Sequence, residues 1–207
     1  MLTLYHAPNS RSTRIVSLID AMDIRDHVEI VTVTVARQDG SGGKDPANPH
    51  SEGKVPLLVT EEGEQIRESN AIMIYLTDRF GSHGRAVGES GRGTYLSWMT
   101  WYGNVFEPVY VLGFAQAEHP VFTTTWRGIP EAVAVLQEAL SDGRPFLMGD
   151  DMTAADLLIS STYFWFRDGV PAVPEIAAWV DRCAALDCVN TATAFDAAEL
   201  ERLKQSA

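Results

Sequence analysis

Cysteine is scarce in this chain, with two among 207 residues. Cys183 and Cys188 stand five apart, which matches neither a Cys-x-x-Cys redox pair nor the spacing of metal ligands. Both are read as structural thiols, and the chemistry is expected to use no protein cysteine and no metal. Positive charge is also short: 16 Lys and Arg stand against 28 Asp and Glu, a net charge of −12. That balance repels a phosphate backbone and no basic stripe offsets it, so nucleic acid is excluded as an expected partner. No apolar run approaches the roughly 18 residues that a membrane span needs. The opening "MLTLYHAPNS" lacks a basic segment followed by an apolar stretch and a cleavage site. The expectation is a cytoplasmic protein with no membrane partner. At 45% hydrophobic the chain can bury a core, and its length leaves one large domain or two small ones.

What is present falls into two textures. "LTLYH" is a short β-rich run that ends at Ala7-Pro8-Asn9-Ser10, where Pro and Asn break it. From Ser12 to Met22, Ile15, Val16, Leu18, Ile19 and Met22 recur at spacings of three and four, the mark of an amphipathic helix. "HVEIVTVTV" then alternates with period two and reads as a strand. Between Arg37 and Gly53 the Gly, Ser, Asp, Pro and Asn content reads as an irregular loop with room for a short helix. "VPLLVT", a turn at Glu61-Glu62-Gly63 and "EQIRE" suggest a β-hairpin, which leads into a helix opening at "ESN". The first 80 residues therefore read β-α-β, loop, β-β-α.

"RFGSHGRAVGESGRG" reads as a linker, and no convincing strand follows it. Tyr95, Trp98, Met99, Tyr102 and Phe106 mark one face of a long helix that Pro108 should kink or end. Ile129, Val133, Leu136 and Leu140 mark a second helix, with Pro130 allowed in its first turn. "DMTAADLLI" opens a third. There Thr153 and Asp156 have the spacing of a reciprocal capping box, Met152 with Leu157 that of a hydrophobic staple, and both polar residues are assigned to folding. Two more helices are read near 174–186 and 191–205. The expected domains are 1–80, a linker at 81–92, and an all-helical 93–207.

Four segments, "LTLYHAPNSRSTRI", "NPHSEGKVPLL", "ESNAIMIYL" and "GDDMTAADLLI", carry a resemblance, in order and spacing, to the cytosolic glutathione transferases, and it covers nearly the whole chain. The resemblance implies an α/β N-terminal thioredoxin-like domain plus an all-α C-terminal domain, usually assembled as a homodimer. It further implies glutathione as co-substrate, a hydrophobic electrophile bound between the domains, and a detoxification role. In such proteins the Val55-Pro56 bond is cis. A cis bond there turns the chain and leaves the Val55 backbone free to pair with an extended peptide such as glutathione.

Glu68, Ser69 and Asn70 sit where a helix leaves its first N–H groups unpartnered and carries partial positive charge, an end that attracts a carboxylate. The resemblance assigns the γ-glutamyl carboxylate to Ser69 and the helix N–H groups, and its ammonium to Glu68. The glutathione thiol, like a free cysteine near pKa 8.5, needs help to ionise, and a hydroxyl donor at the start of the first helix supplies it. Ser10 aligns with the cysteine used by a bacterial branch of the family, with Ser12 and Asn9 as alternatives. Arg37, Lys44, His50 and Lys54 are the candidate cations for the glycyl carboxylate. Tyr102 and Phe106 are the expected lining of the electrophile pocket. Two other functions share the same framework: a glutathione-dependent disulfide reductase and a non-catalytic glutathione transferase-like binding module.

Overall fold

A computed structural model describes residues 1–206. They form two compact units: Met1–Leu76 with the chain from Leu186 on, and Thr77–Ala185. The boundaries drawn from sequence follow composition, whereas these units follow contact. The difference lies in the last helix, which the sequence groups with the helical half and which here packs in the first unit.

In the first unit, β1 (Leu2–His6), α1 (Thr13–Ala21) and β2 (Val28–Thr32) make a β-α-β crossover, with β1 and β2 parallel. β3 (Leu57–Val59) and β4 (Gln65–Arg67) complete a mixed sheet of order β2-β1-β3-β4, antiparallel from β1 onward. The hairpin closes through Thr60 and Glu64, and Gly63 takes φ +86°, a conformation that glycine adopts without a steric penalty. The alternation Leu2, Leu4, His6 on β1 is fully buried, as are Ile15, Val16, Leu18 and Ile19 of α1. α2 runs Ser69–Phe80 and buries Ile72, Met73 and Leu76. The expected short helix between Arg37 and Gly53 is replaced by turns and bends.

The last helix, α9 (Asp187–Ser206), lies along α1. Its buried residues Val189, Ala192 and Asp196 recur at helical spacing, and two of the three are small or polar. From this packing the Asp196 side chain reaches Thr13 at the start of α1 and the loop that precedes it. The architecture is a thioredoxin-like unit.

The second unit is helical: α3 (Arg92–Trp101), a π-helical turn (Tyr102–Phe106), α4 (Glu107–Phe114), α5 (Pro120–Trp126), α6 (Ile129–Leu140), α7 (Ala154–Trp165) and α8 (Pro174–Ala184). The helix type changes at Tyr102, ahead of Pro108, which sits harmlessly in the first turn of α4. α5 escaped the sequence reading because "VFTTTW" is rich in β-branched residues. It starts on a His119 cap that accepts the Val121 N–H at 3.2 Å. Tyr95, Met99, Phe106, Leu136, Leu158, Tyr163, Ile176 and Trp179 form the core without exposed surface. Among the described residues, no helix is long and apolar enough to cross a membrane.

The capping box of α7 is present, and Asp156 does more than cap. Its Oδ2 accepts the Thr153 N–H (2.9 Å) and hydroxyl (3.0 Å), while Oδ1 accepts the Leu147 N–H (2.8 Å) and the Trp179 indole N–H (2.9 Å). Burial pushes its carboxyl above the usual carboxylate range, and these four donors pull it back. Replacing it by Ala would orphan buried donors on two helices and a loop. Asp156→Ala is therefore expected to cost about 3 kcal/mol, more than the ~1 kcal/mol of a simple cap, and to lower the melting temperature by roughly 6–12 °C. A thermal melt showing a drop of only one cap's worth would remove the indole and Leu147 contacts from this account.

Candidate functional site

Strand register gathers the candidate residues at one end of the first unit's sheet. Tyr5 pairs with Leu57, and Leu57 with Arg67, so three segments leave the sheet side by side. They are the loop after β1 (residues 7–12), the approach to β3 (Lys54-Val55-Pro56), and the exit of β4 into Glu68-Ser69. Thr32 of β2 ends beside His6, and the chain then leads to Arg37, whose guanidinium donates to the Pro8 (2.7 Å) and Asn9 (3.0 Å) carbonyls.

The loop after β1 is organised from beneath by residues that the sequence reading passed over. Asp196 of α9 is 1% exposed; its Oδ2 accepts the Asn9 N–H (2.6 Å) and the Thr13 hydroxyl (2.6 Å). Its Oδ1 lies 3.1 Å from Nε2 of His6, off the line of a well-directed hydrogen bond yet within ion-pair range. His6 is fully buried, and its Nδ1 is 2.8 Å from the Ser12 hydroxyl. That hydroxyl also accepts the Ala7 N–H (3.1 Å) and lies 2.6 Å from the Ser10 hydroxyl. Ser12 is fully buried and faces inward. Ser10 is half-buried and accepts the Ser12 N–H at 3.1 Å, and Asn9 is exposed with φ +51°. Of the three thiol candidates, Ser12 has no surface with which to meet a ligand, and Asn9 is tied through its backbone. Ser10 alone has its hydroxyl at the rim.

The Val55–Pro56 bond is cis. Its approach is a folded turn: Asn48 is 3% and His50 5% exposed, the Asn48 amide donates to the Lys54 carbonyl (3.1 Å), and His50 Nδ1 accepts the Glu52 N–H (3.1 Å). Gly53, at φ +66°, lies against the Lys44 side chain, where a Cβ would collide at 2.7 Å. The candidate cations therefore separate. Arg37 holds loop carbonyls, Lys44 donates to the Ser51 carbonyl (2.8 Å), and His50 is buried under its own turn. The Lys54 side chain is 71% exposed and pairs with Glu52 at 2.6 Å, a contact that holds the Glu52 carboxyl below the usual range.

Glu68 opens α2: its carbonyl accepts the Ile72 N–H (3.0 Å), and it sits at φ +71°. Left-handed backbone costs a non-glycine residue on the order of 1–2 kcal/mol, which a surrounding structure must hold in place. The conformation leaves Glu68 exposed at the helix start, with Ser69 8% exposed next to it. The free N–H groups of the first turn and the dipole favour an anion there.

Tyr102 and Phe106 do not line a pocket. Phe106 has no exposed surface and Tyr102 only 3%, and both stack in a ring cluster with Tyr110 and Tyr163. The Tyr102 hydroxyl donates to Glu107 (2.7 Å) and that of Tyr110 pairs with Tyr163 (2.7 Å). They continue the face of Tyr95 and Met99, which is buried in the core of the second unit. The second unit instead carries an open groove of about 250 Å³ beside them, with Trp101, Val105, Trp126 and Val135 in its lining. Both cysteines are free thiols; Cys183 is fully buried, and burial pushes the Cys188 thiol up to about 11, so neither is a nucleophile at neutral pH. Among the described residues, no three His, Cys, Asp or Glu side chains are grouped to hold a metal.

Comparison with known proteins accords with this layout. Residues 1–78 match the glutathione S-transferase N-terminal domain and residues 106–187 the C-terminal domain. The chain belongs to the glutathione S-transferase family. A glutathione transferase from Methylococcus capsulatus str. Bath superposes with a TM-score of 0.77 over 95% of this chain and 99% of its own, at 21% identity. A sphingomonad glutathione S-transferase complexed with glutathione gives 0.73 over 94% and 98%, at 24% identity. At such identities the likeness establishes the fold. The glutathione S-transferase-like protein LUC7 of a Fusarium species is 27% identical over 61% of this chain and 64% of its own length. The chain spans between 46% and 64% of the length of three curated relatives that it matches.

The two serines differ in what their removal exposes. Ser12→Ala leaves the buried Ala7 N–H and His6 Nδ1 without their partner and is expected to cost about 1–3 kcal/mol of stability, whereas Ser10→Ala, at the rim, is expected to cost under about 1 kcal/mol. Chemical denaturation of the two variants checks this, and equal losses would contradict the buried role of Ser12.

Proposed function

We propose that the protein is a glutathione transferase that binds glutathione at the end of the first unit's sheet and ionises its thiol for attack on a small hydrophobic electrophile. The observation that carries this reading is the register of β1, β3 and β4. It puts a rim hydroxyl at a helix start, the Val55–Pro56 segment and a strained acid–serine pair at a second helix start side by side. Glutathione has chemistry to match: a thiol, a peptide backbone, and a zwitterionic γ-glutamyl end.

In this reading Ser69 and the first N–H groups of α2 take the γ-glutamyl carboxylate, and Glu68 takes the ammonium. The Val55 N–H and C=O pair with the cysteinyl backbone as an added strand would. Lys54 leaves Glu52 for the glycyl carboxylate, since its side chain is 71% exposed, it adjoins Val55, and its present partner is a surface carboxylate rather than a loop carbonyl. Ser10 donates its hydroxyl hydrogen to the thiolate. Such a bond acts on the anion more than on the thiol and so lowers the thiol pKa.

Glu68→Ala and Ser69→Ala are each expected to weaken glutathione by about 10–100-fold in isothermal titration, the worth of one charge-assisted contact. Parent-like binding by both variants would mean that glutathione lies elsewhere. Ser10→Ala is expected to leave affinity nearly unchanged, to move the thiolate absorbance of bound glutathione about 1–2 pH units higher, and to slow turnover of an aryl halide by about 10–100-fold. A parent-like absorbance titration would take Ser10 out of the reaction.

A further inference from the structure

One polar chain in the first unit runs from the rim to a buried imidazole and carboxylate. From the rim inward, Ser10 Oγ lies 2.6 Å from Ser12 Oγ, Ser12 Oγ 2.8 Å from His6 Nδ1, and His6 Nε2 3.1 Å from Asp196 Oδ1. Only Ser10 is partly exposed; Ser12 and His6 have no exposed surface and Asp196 has 1%. Each hydroxyl carries one hydrogen; that of Ser12 can also turn to the Ala7 carbonyl at 3.3 Å, a longer contact than either chain neighbour, and along the chain itself two orders remain. With a neutral imidazole protonated on Nε2 toward Asp196, the Ser12 hydroxyl donates to Nδ1 and the Ser10 hydroxyl donates to Ser12. The Ser10 oxygen then faces outward as an acceptor, the partner that a thiol S–H needs. With an imidazolium the order reverses: Nδ1–H donates to Ser12, Ser12 donates to Ser10, and the Ser10 hydrogen points outward, the partner that a thiolate needs.

We propose that this chain is a proton relay, in which His6, backed by Asp196, receives the glutathione thiol proton through Ser12 and Ser10. The proposal rests on the reading that Ser10 meets the thiol. The S–H bond breaks as its proton passes to the Ser10 oxygen, the Ser10 hydrogen passes to Ser12, and the Ser12 hydrogen passes to His6 Nδ1. Thiol and neutral imidazole become thiolate and imidazolium, with both hydroxyls restored and turned outward. The new positive charge forms against the Asp196 carboxylate, whose other oxygen is already held by the Asn9 N–H and the Thr13 hydroxyl. Glu199, one turn further along α9, adds a second negative charge; Arg202 first, and then the Thr32 hydroxyl, hold its carboxyl below the usual range. Of the cations near this pair, Arg202 is itself paired with Glu199, and Arg25 lies over the Phe195 ring and is paired with Asp20. The relay does for a bound thiol what an Asp-His pair does for a nucleophilic hydroxyl, with two serines spanning the distance.

The full chain provides the test. At neutral pH, nitrogen NMR of the His6 imidazole is expected to show a neutral ring in the free protein and with S-methylglutathione, which has no thiol proton, and a doubly protonated ring with glutathione. A ring unchanged by glutathione, or already doubly protonated when free, overturns the relay without any mutation. Ser12→Ala and Asp196→Asn are expected to raise the pKa of the bound thiol by about one unit, a tenfold loss of thiolate at neutral pH, while S-methylglutathione binds within about threefold of the parent. If Ser10→Ala shifts the thiol pKa and neither inner variant does, the relay is wrong and Ser10 acts alone. If Ser10→Ala shifts nothing, the relay falls together with the reading of Ser10 on which it rests.

Discussion

The carboxylate of Asp196, buried against the loop after β1, is the constraint on which the candidate site depends. A buried charge is tolerated only when it is paired, and this one accepts a backbone N–H and a hydroxyl and lies within ion-pair range of an imidazole, all from residues 6–13. Those contacts fix where the loop lies, and the loop fixes where Ser10 stands. The packing of α9 on α1 brings the carboxylate within reach of that loop. The packing of one helix thus sets the geometry of a hydroxyl at the far end of the chain.

The second unit repeats the same physical solution. Asp156 on α7 meets four donors from its own helix start, the Leu147 loop and the Trp179 indole. In each unit a helical aspartate with almost no exposure joins a loop to the core by satisfying donors that would otherwise be buried without partners. The two differ in reach. Asp156 is enclosed within its unit's interior, whereas Asp196 is two side chains from the rim, through His6 and Ser12. That gives the first a purely architectural role and the second a path to solvent.

Much of this was legible in the sequence where the signal is local. Periodicity placed α1 and α6, a β-rich run placed β1, alternation placed β2, the Gly63 turn placed the hairpin, and the Thr153–Asp156 spacing announced the start of α7. Glu68-Ser69 and Val55-Pro56 stood out as motifs for the same reason: a helix start and a proline-led strand are written in a few adjacent residues. Other features left no local trace. The "VFTTTW" helix runs against its own propensity and is held by a cap and by the Trp126 indole, which donates to the Asn104 carbonyl. The spacing of Tyr102 and Phe106 put them on one face with Tyr95 and Met99, but did not tell that this face turns into the unit's core rather than to a pocket. His6 looked like the last residue of a strand, and Asp196 like one acid among many on an exposed helix.

By itself the sequence determined which segments become strands and helices, where the helices start, and which motifs lie at their ends, because each is set by contacts between neighbours along the chain. The tertiary structure alone decided that α9 packs on α1 and that Asp196, His6, Ser12 and Ser10 form one line. It also decided that of four candidate cations His50 is buried, Arg37 and Lys44 hold loop carbonyls, and Lys54 pairs with a surface carboxylate. The reason is that burial and pairing across 190 residues of sequence depend on how whole elements pack: Asp196 and His6 carry no mark of each other until two helices and a sheet bring them within 3.1 Å.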